Sequence, residues 1–175
     1  MAKLRKMLGD IQSPQCVALM RLIETQSVET LADWAVGYAQ QHYLPIYAQA
    51  CPGDRRLEGI LTGCQNHLRT GGKLAQVKPL LKEAAQIGRE SEESPVAQAA
   101  ARAIATACST LQSPTGALGF LFYGAAATAY SQAGLEQNTA AYNQLAAQEL
   151  DRALASLEQA AIPGEANPAK INWNC

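Results

Sequence analysis

The chain has 175 residues, a net charge of −1 and 48% hydrophobic against 17% charged residues. That length buries a sizeable core without disulfide or metal staples, and the composition excludes a disordered chain. The near-zero charge supplies no global field for nucleic acid or an anionic membrane, so any partner is recognised locally.

At the N-terminus, MAKLRKMLGDIQ starts basic, but Gly9, Asp10 and Gln12 interrupt it before an apolar run of signal-peptide length. A cytoplasmic protein is expected. The five cysteines, Cys16, Cys51, Cys64, Cys108 and Cys175, are odd in number and lack short paired spacings, which reads as reduced thiols.

Ser27 is placed to cap a helix in which Leu31, Trp34, Ala35, Tyr38 and His42 share one face. Pro45 breaks or kinks it, and LPIYAQA restarts as a short second helix at an angle to the first. Pro52-Gly53 closes that helix, and Asp54 is expected to cap the next by accepting a backbone N–H. Leu57, Ile60, Leu61, Cys64 and Leu68 then form an apolar stripe that ends at Thr70-Gly71-Gly72. Val77, Leu80, Leu81, Ala84 and Ile87 form another, with Pro79 tolerated in its first turns. The charged run RESEES, residues 89–94, is a solvated connection, and Ser94-Pro95 opens an alanine-lined helix through Leu111 that lets a neighbour approach closely.

ALGFLFYGAAATAY is apolar almost all round. It is shorter than the roughly 20 residues that cross a bilayer, so it reads as a buried core helix rather than a span. A last helix carries Tyr142, Leu145, Ala146, Leu150, Ala153 and Leu157 inward until Pro163-Gly164 stops it. No stretch alternates as a strand does. The expectation is all-α: a compact multi-helix bundle of seven or eight helices without a sheet, residues 1–163 as one domain and 164–175 as an irregular tail.

Chemistry is sparse. Cys64 and His67 lie one helical turn apart, but a metal site needs further convergent ligands and Cys64 belongs to the apolar stripe, so no metal and no cofactor are expected. Phosphate loops, HExxH, GxSxG and paired-carboxylate motifs are missing from the sequence, which argues against an enzyme. The basic residues from Arg55 to Lys82 are interleaved with Asp54, Glu58 and Glu83 and read as a solvated face; no nucleic-acid or membrane partner is expected.

ETLADWAVGYAQQHYLPIYAQACPGDRRLEGI resembles the start of a family of bacterial proteins described as immunity proteins related to immunity protein five of polymorphic toxin systems. Trp34, Tyr38, Pro45, Tyr47, Asp54, Arg56 and Ile60 carry the likeness, with Leu31, Ala35 and Leu44. It continues over roughly residues 24–134, where Ala117, Leu118, Gly119 and Tyr123 fit the later pattern. Family members open the helix after the turn with Asp-x-Arg-Pro; here Leu57 stands where that proline would be. Members carry histidines near the positions of Cys108 and Gly116, and their absence leaves no histidine-based site to infer.

The motif residues read as structural, Trp34 as a core anchor and Arg56 as the partner of a carboxylate on a neighbouring helix or of a helix end. The resemblance implies binding of a cognate protein toxin, with Arg55, Tyr43 or the RESEES connection as candidate anchors. Alternatives are a helical scaffold that self-associates as a homo-oligomer and, less favoured, an enzyme of unknown chemistry.

Overall fold

The computed structural model describes residues 3–173; Cys175, the last of the expected free thiols, lies outside them. It is an all-α fold. The helices are α1 (Pro14–Ile23), α2 (Val28–His42), α3 (Leu44–Ala50), α4 (Arg56–Thr70), α5 (Lys78–Glu90), α6 (Pro95–Ser109), α7 (Gly116–Ala133) and α8 (Thr139–Ala160), with a short 3₁₀ turn at Leu74–Gln76. Among the described residues there is no strand.

Capping explains most of the starts. Ser13, Ser27, Ser94 and Asn138 each accept a backbone N–H from the residue three positions on, satisfying a donor that the first turn leaves free. Pro14, Pro45, Pro79 and Pro95 occupy the first or second helical position, where a missing N–H costs nothing. The sequence reading passed over α1, although Ser13-Pro14 is the same start signal that it recognised at Ser94-Pro95.

The centre of the molecule is the hairpin of α6 and α7, which pack on each other more extensively than any other pair. Both helices are rich in small buried residues, Ala97, Ala100, Ala101, Ala103 and Ala107 on one and Ala117, Ala125 and Ala129 on the other, and Gly116 of α7 abuts the Thr106 carbonyl of α6. Such small side chains let the two axes approach closely. Helix α5 then packs on α6, α8 on α7, α2 and α3 lie across α6, and α4 covers α2. This placement explains why α7 is apolar on every side. No helix among the described residues is long and apolar enough to cross a membrane.

The described segments before α1 and after α8 fold back onto this body without regular structure. The Tyr130 hydroxyl donates to the Arg5 carbonyl at 2.6 Å, and the Leu8 N–H donates to the Phe122 carbonyl at 3.1 Å, so the N-terminal segment is held against α7. At the other end Gln26, 1% exposed, clamps the tail: its side-chain oxygen accepts the Ile162 N–H at 2.8 Å, and its backbone carbonyl accepts the Ala169 N–H at 2.7 Å. The Glu165 carboxylate takes the Ser27 N–H and the Thr30 hydroxyl, closing the tail over the α1–α2 turn.

Gly124 is the tightest point of the core. A β-carbon there would stand 2.0 Å from Cζ and 2.2 Å from the hydroxyl oxygen of Tyr43, far inside contact distance. Replacing a mid-helix glycine by alanine ordinarily favours the helix by about 1 kcal/mol. Here the clash with a fully buried ring outweighs that gain, and Gly124→Ala is expected to lose about 1–3 kcal/mol net in urea unfolding, the cost of an overpacked core.

Candidate functional site

Helices α2, α7 and α8 meet around a cluster of rings. Trp34 and Tyr38 project from α2 one turn apart, Tyr43 sits at the α2–α3 junction, and Phe120 comes from α7. Phe120 meets Trp34, Tyr38 and Tyr43 edge-on at centroid distances of 5.4, 6.1 and 5.9 Å. Edge-to-face contacts of this kind add to the area that the rings bury. The Trp34 indole N–H donates to the Ser156 hydroxyl of α8 at 3.0 Å, so the ring is buried with its one polar atom satisfied.

Inside that cluster lies Glu149 of α8, 2% exposed. An ionised carboxylate this deep is strongly unfavourable unless it is paired. Its Oε2 accepts the Tyr43 hydroxyl at 2.5 Å and the Tyr38 hydroxyl at 3.1 Å. Its Oε1 accepts Arg152 Nε at 2.7 Å and Nη2 at 2.6 Å, from one turn along the same helix. Arg152 Nε also reaches the Tyr38 hydroxyl at 3.2 Å, and its guanidinium lies 6.0 Å from the centre of that ring. The arginine is half exposed, so the ion pair runs from the core to the surface.

The electrostatics follow from burial. Desolvation pushes the Glu149 carboxyl above its usual range, against the Tyr43 hydrogen bond and the Arg152 charge, which pull it down. Burial, and then the Glu149 charge, push both the Tyr38 and Tyr43 hydroxyls up, so they remain donors at neutral pH. His42, whose ring stacks 4.3 Å from Tyr38, is driven toward its neutral form by burial and by Arg152. Five surface clefts, around Tyr130, Arg102, Asp33, Phe122 and Ala105, are lined by neither Glu149, Tyr38 nor Tyr43. A carboxylate saturated by protein donors and closed off from those clefts is suited to holding three helices in place.

A second polar cluster sits on the surface at the turn before α4. Asp54 accepts Arg56 Nε at 3.1 Å and Nη2 at 2.9 Å as a fork, and the Tyr47 hydroxyl at 2.8 Å. The same guanidinium gives Nη1 to Glu90 at the end of α5, at 3.1 Å. Arg56 thereby ties the turn to a neighbouring helix. The Arg56 hydrogen bonds, with Tyr47 adding, hold the Asp54 carboxyl well below the usual carboxylate range.

One expectation for Asp54 needs correction. It does not occupy the cap position, since α4 starts at Arg56 and the cap residue is Arg55. Asp54 instead accepts the Arg56 backbone N–H at 3.1 Å from one residue further back, a local turn that a short acidic side chain makes with the backbone two residues on.

The other named residues divide by exposure. Ile60 lies on the buried face of α4, and Pro45 is exposed in the first turn of α3. Tyr123 is half-buried on α7. Tyr43, a candidate anchor for a partner in the sequence reading, has no exposed surface and is committed to Glu149, which removes it from any interface. Arg55 is exposed and pairs with Glu58 in the first turn of α4 at 2.9 Å. Cys64 is buried beside the Cys108 thiol of α6, and that neighbour, followed by burial, pushes Cys108 well above the ordinary thiol range. Among the described residues no three His, Cys, Asp or Glu side chains converge as metal ligands would.

Glu149, the hub of the buried network, was missed from sequence. Its signal was available: it occupies the inward face of α8, three residues after Ala146 and one before Leu150, where a carboxylate demands donors.

This arrangement is an all-α domain in which Glu149 and Arg152, and likewise Asp54 and Arg56, are paired with one another. Its family is shown by comparison: the profile described as Imm-5 like putative immunity protein matches residues 21–158, and the chain belongs to that family. The match covers α2 to α7 whole and reaches almost to the end of α8. No curated protein and no solved structure matches the chain.

Two substitutions test the polar clusters. Tyr43→Phe removes one of the donors to a buried carboxylate and is expected to cost about 1–3 kcal/mol at neutral pH. It also raises the folded Glu149 pKa further above its unfolded value, so part of the loss should return as the pH is lowered and the carboxyl protonates. Thermal melts of variant and wild type at pH about 7 and about 5 read both effects. Asp54 has the opposite sign. Its folded pKa is depressed, so its stabilisation is full above the ordinary carboxylate value of about 4 and is lost as the pH falls toward the folded value. Asp54→Asn is therefore expected to lower Tm at pH about 7 and to flatten the acid-side decline below pH about 4.

Proposed function

We propose that this chain is an immunity protein that binds a cognate bacterial protein toxin in the cytoplasm and blocks it sterically, without catalysis. Membership of the immunity-protein family over residues 21–158 carries the reading. The physical requirements for such a blocker are modest: a rigid surface with a few aromatic, aliphatic or arginine anchors that lose their water on contact. A body centred on a close-packed helical hairpin, with the described segments before α1 and after α8 tied down, supplies rigidity. The Glu149 network favours blocking over catalysis, because a catalytic carboxylate needs access to substrate, whereas this one is saturated by Tyr38, Tyr43 and Arg152. We read residues 1–163 as the helical unit and 164–175 as the tail, whose described part, up to residue 173, is strapped across it.

The test is co-expression with a candidate toxin, chosen as the product of a toxin-domain gene found adjacent to this one. Growth should be restored relative to toxin alone, and the two chains should co-purify as a complex. Continued killing together with failure to co-purify overturns the reading. Recovery of the chain only as an oligomer of itself would favour the self-associating scaffold.

A further inference from the structure

The N-terminal segment Lys3–Leu8 runs between two adjoining surface hollows of about 280 and 290 Å³ that share Lys3, Leu4, Arg5 and Tyr130. Its backbone is fixed from beneath by the Tyr130 hydroxyl on the Arg5 carbonyl and by the Leu8 N–H on Phe122, while Leu8 is buried and Leu4 packs on the core. With the backbone held, the side chains of Lys3, Arg5 and Lys6 stand exposed on a defined scaffold.

The two hollows differ in chemistry. One carries Leu8, Tyr142 and Leu135 beside the shared Leu4, Lys3 and Arg5, and Leu135, 41% exposed, is among the few large apolar side chains left open to water. The other brings Lys3, Arg5 and Lys6 opposite Arg102, whose stem lies over Gly88. The first turn of α6 borders this second hollow at Pro95 and adds the positive end of a helix dipole. Glu92 and Glu136 are the acidic residues on the two rims. Among the described residues no carboxylate lies within ion-pair distance of any of the four cations, in contrast to Arg55, Arg56 and Arg152, each of which is paired. On a chain whose net charge is −1, this is a local concentration of uncompensated positive charge beside the exposed Leu135 side chain.

We propose that this double hollow is the docking site for a segment of a protein partner in which an apolar side chain is flanked by carboxylates. The apolar residue fills the hollow at Leu135 and Tyr142, and the carboxylates meet Lys3, Arg5, Lys6 and Arg102. Resting on the immunity reading, the segment belongs to the toxin. A nucleic-acid backbone fits less well, since it needs a track of cations, whereas these gather at one place beside the exposed Leu135 side chain. Charges at the rim of an interface chiefly steer encounter and select the partner, while the desolvated apolar anchor supplies much of the affinity.

The experiment has two arms, both with the full chain. In the first, the isotope-labelled protein is titrated with a short peptide carrying one leucine between runs of glutamate, then with its lysine counterpart, with a single-stranded DNA oligonucleotide and with anionic lipid vesicles. Amide shifts at Lys3–Leu8, Arg102 and Leu135 with the glutamate peptide alone, weakening as salt is raised, are expected. Absence of those shifts, or equal shifts with DNA or vesicles, overturns the proposal.

In the second arm, affinity for that candidate toxin is measured for the wild type and for the Arg5→Glu/Lys6→Glu double variant. These exposed side chains lie outside the core, and an unchanged melting temperature verifies that the fold is kept. A loss of about tenfold or more supports the site. Tight binding by wild type and variant alike overturns the site but keeps the immunity reading. No binding by the wild type overturns the immunity reading, and the peptide arm still decides whether the hollow takes an acidic segment.

Discussion

A carboxylate buried at the middle of α8 imposes the strictest condition on this structure. Glu149 is tolerated only if hydrogen-bond donors reach it from other helices, and those donors come from Tyr38 on α2 and Tyr43 at the start of α3. The Tyr43 ring reaches the carboxylate through the space above Gly124, where α7 has no side chain to obstruct it. Thus one ionisable group sets the relative positions of α2, α7 and α8. The α2–α3 break at Pro45 belongs to the same device, because it turns the chain where the tyrosine must point inward.

Around this hub, polar interactions connect elements far apart in sequence. Arg56 links the turn at Asp54 to the end of α5, Trp34 reaches α8, Gln26 clasps the tail, and Tyr130 holds the N-terminal segment. The α6–α7 hairpin carries little of this polar work. It contributes close approach, since its small side chains let larger groups pack from outside. The interior is therefore organised from its rim inward, with rings and charged groups at the junctions and alanine at the centre.

The same economy makes the surface informative. Most buried or half-buried charges have found a partner within the chain, as Arg56 and Arg152 have. The exposed cations of the N-terminal segment stand apart from this pattern, on backbone that is nonetheless well anchored. A rigid, uncompensated surface of this kind suits recognition better than stability.

The sequence by itself determined the helices from Ser27 onward, because caps, proline starts and 3.6-residue stripes act through neighbours in the chain. It also determined that α7 would be central, since a helix apolar all round has no face to give to water. The family resemblance was legible in Trp34, Tyr38 and the Asp54–Arg56 turn, although the family match extends beyond residue 134 into α8. Tertiary structure alone decided that Tyr43 points inward, that Cys64 lies beside Cys108, and that Glu149 is the hub. Each depends on side chains separated by tens of residues meeting in space, as Tyr43 and Glu149 do across 106 positions. Local periodicity reports which face of a helix is buried; it carries no information about which distant residue that face will meet, because that is set by how all the helices pack at once.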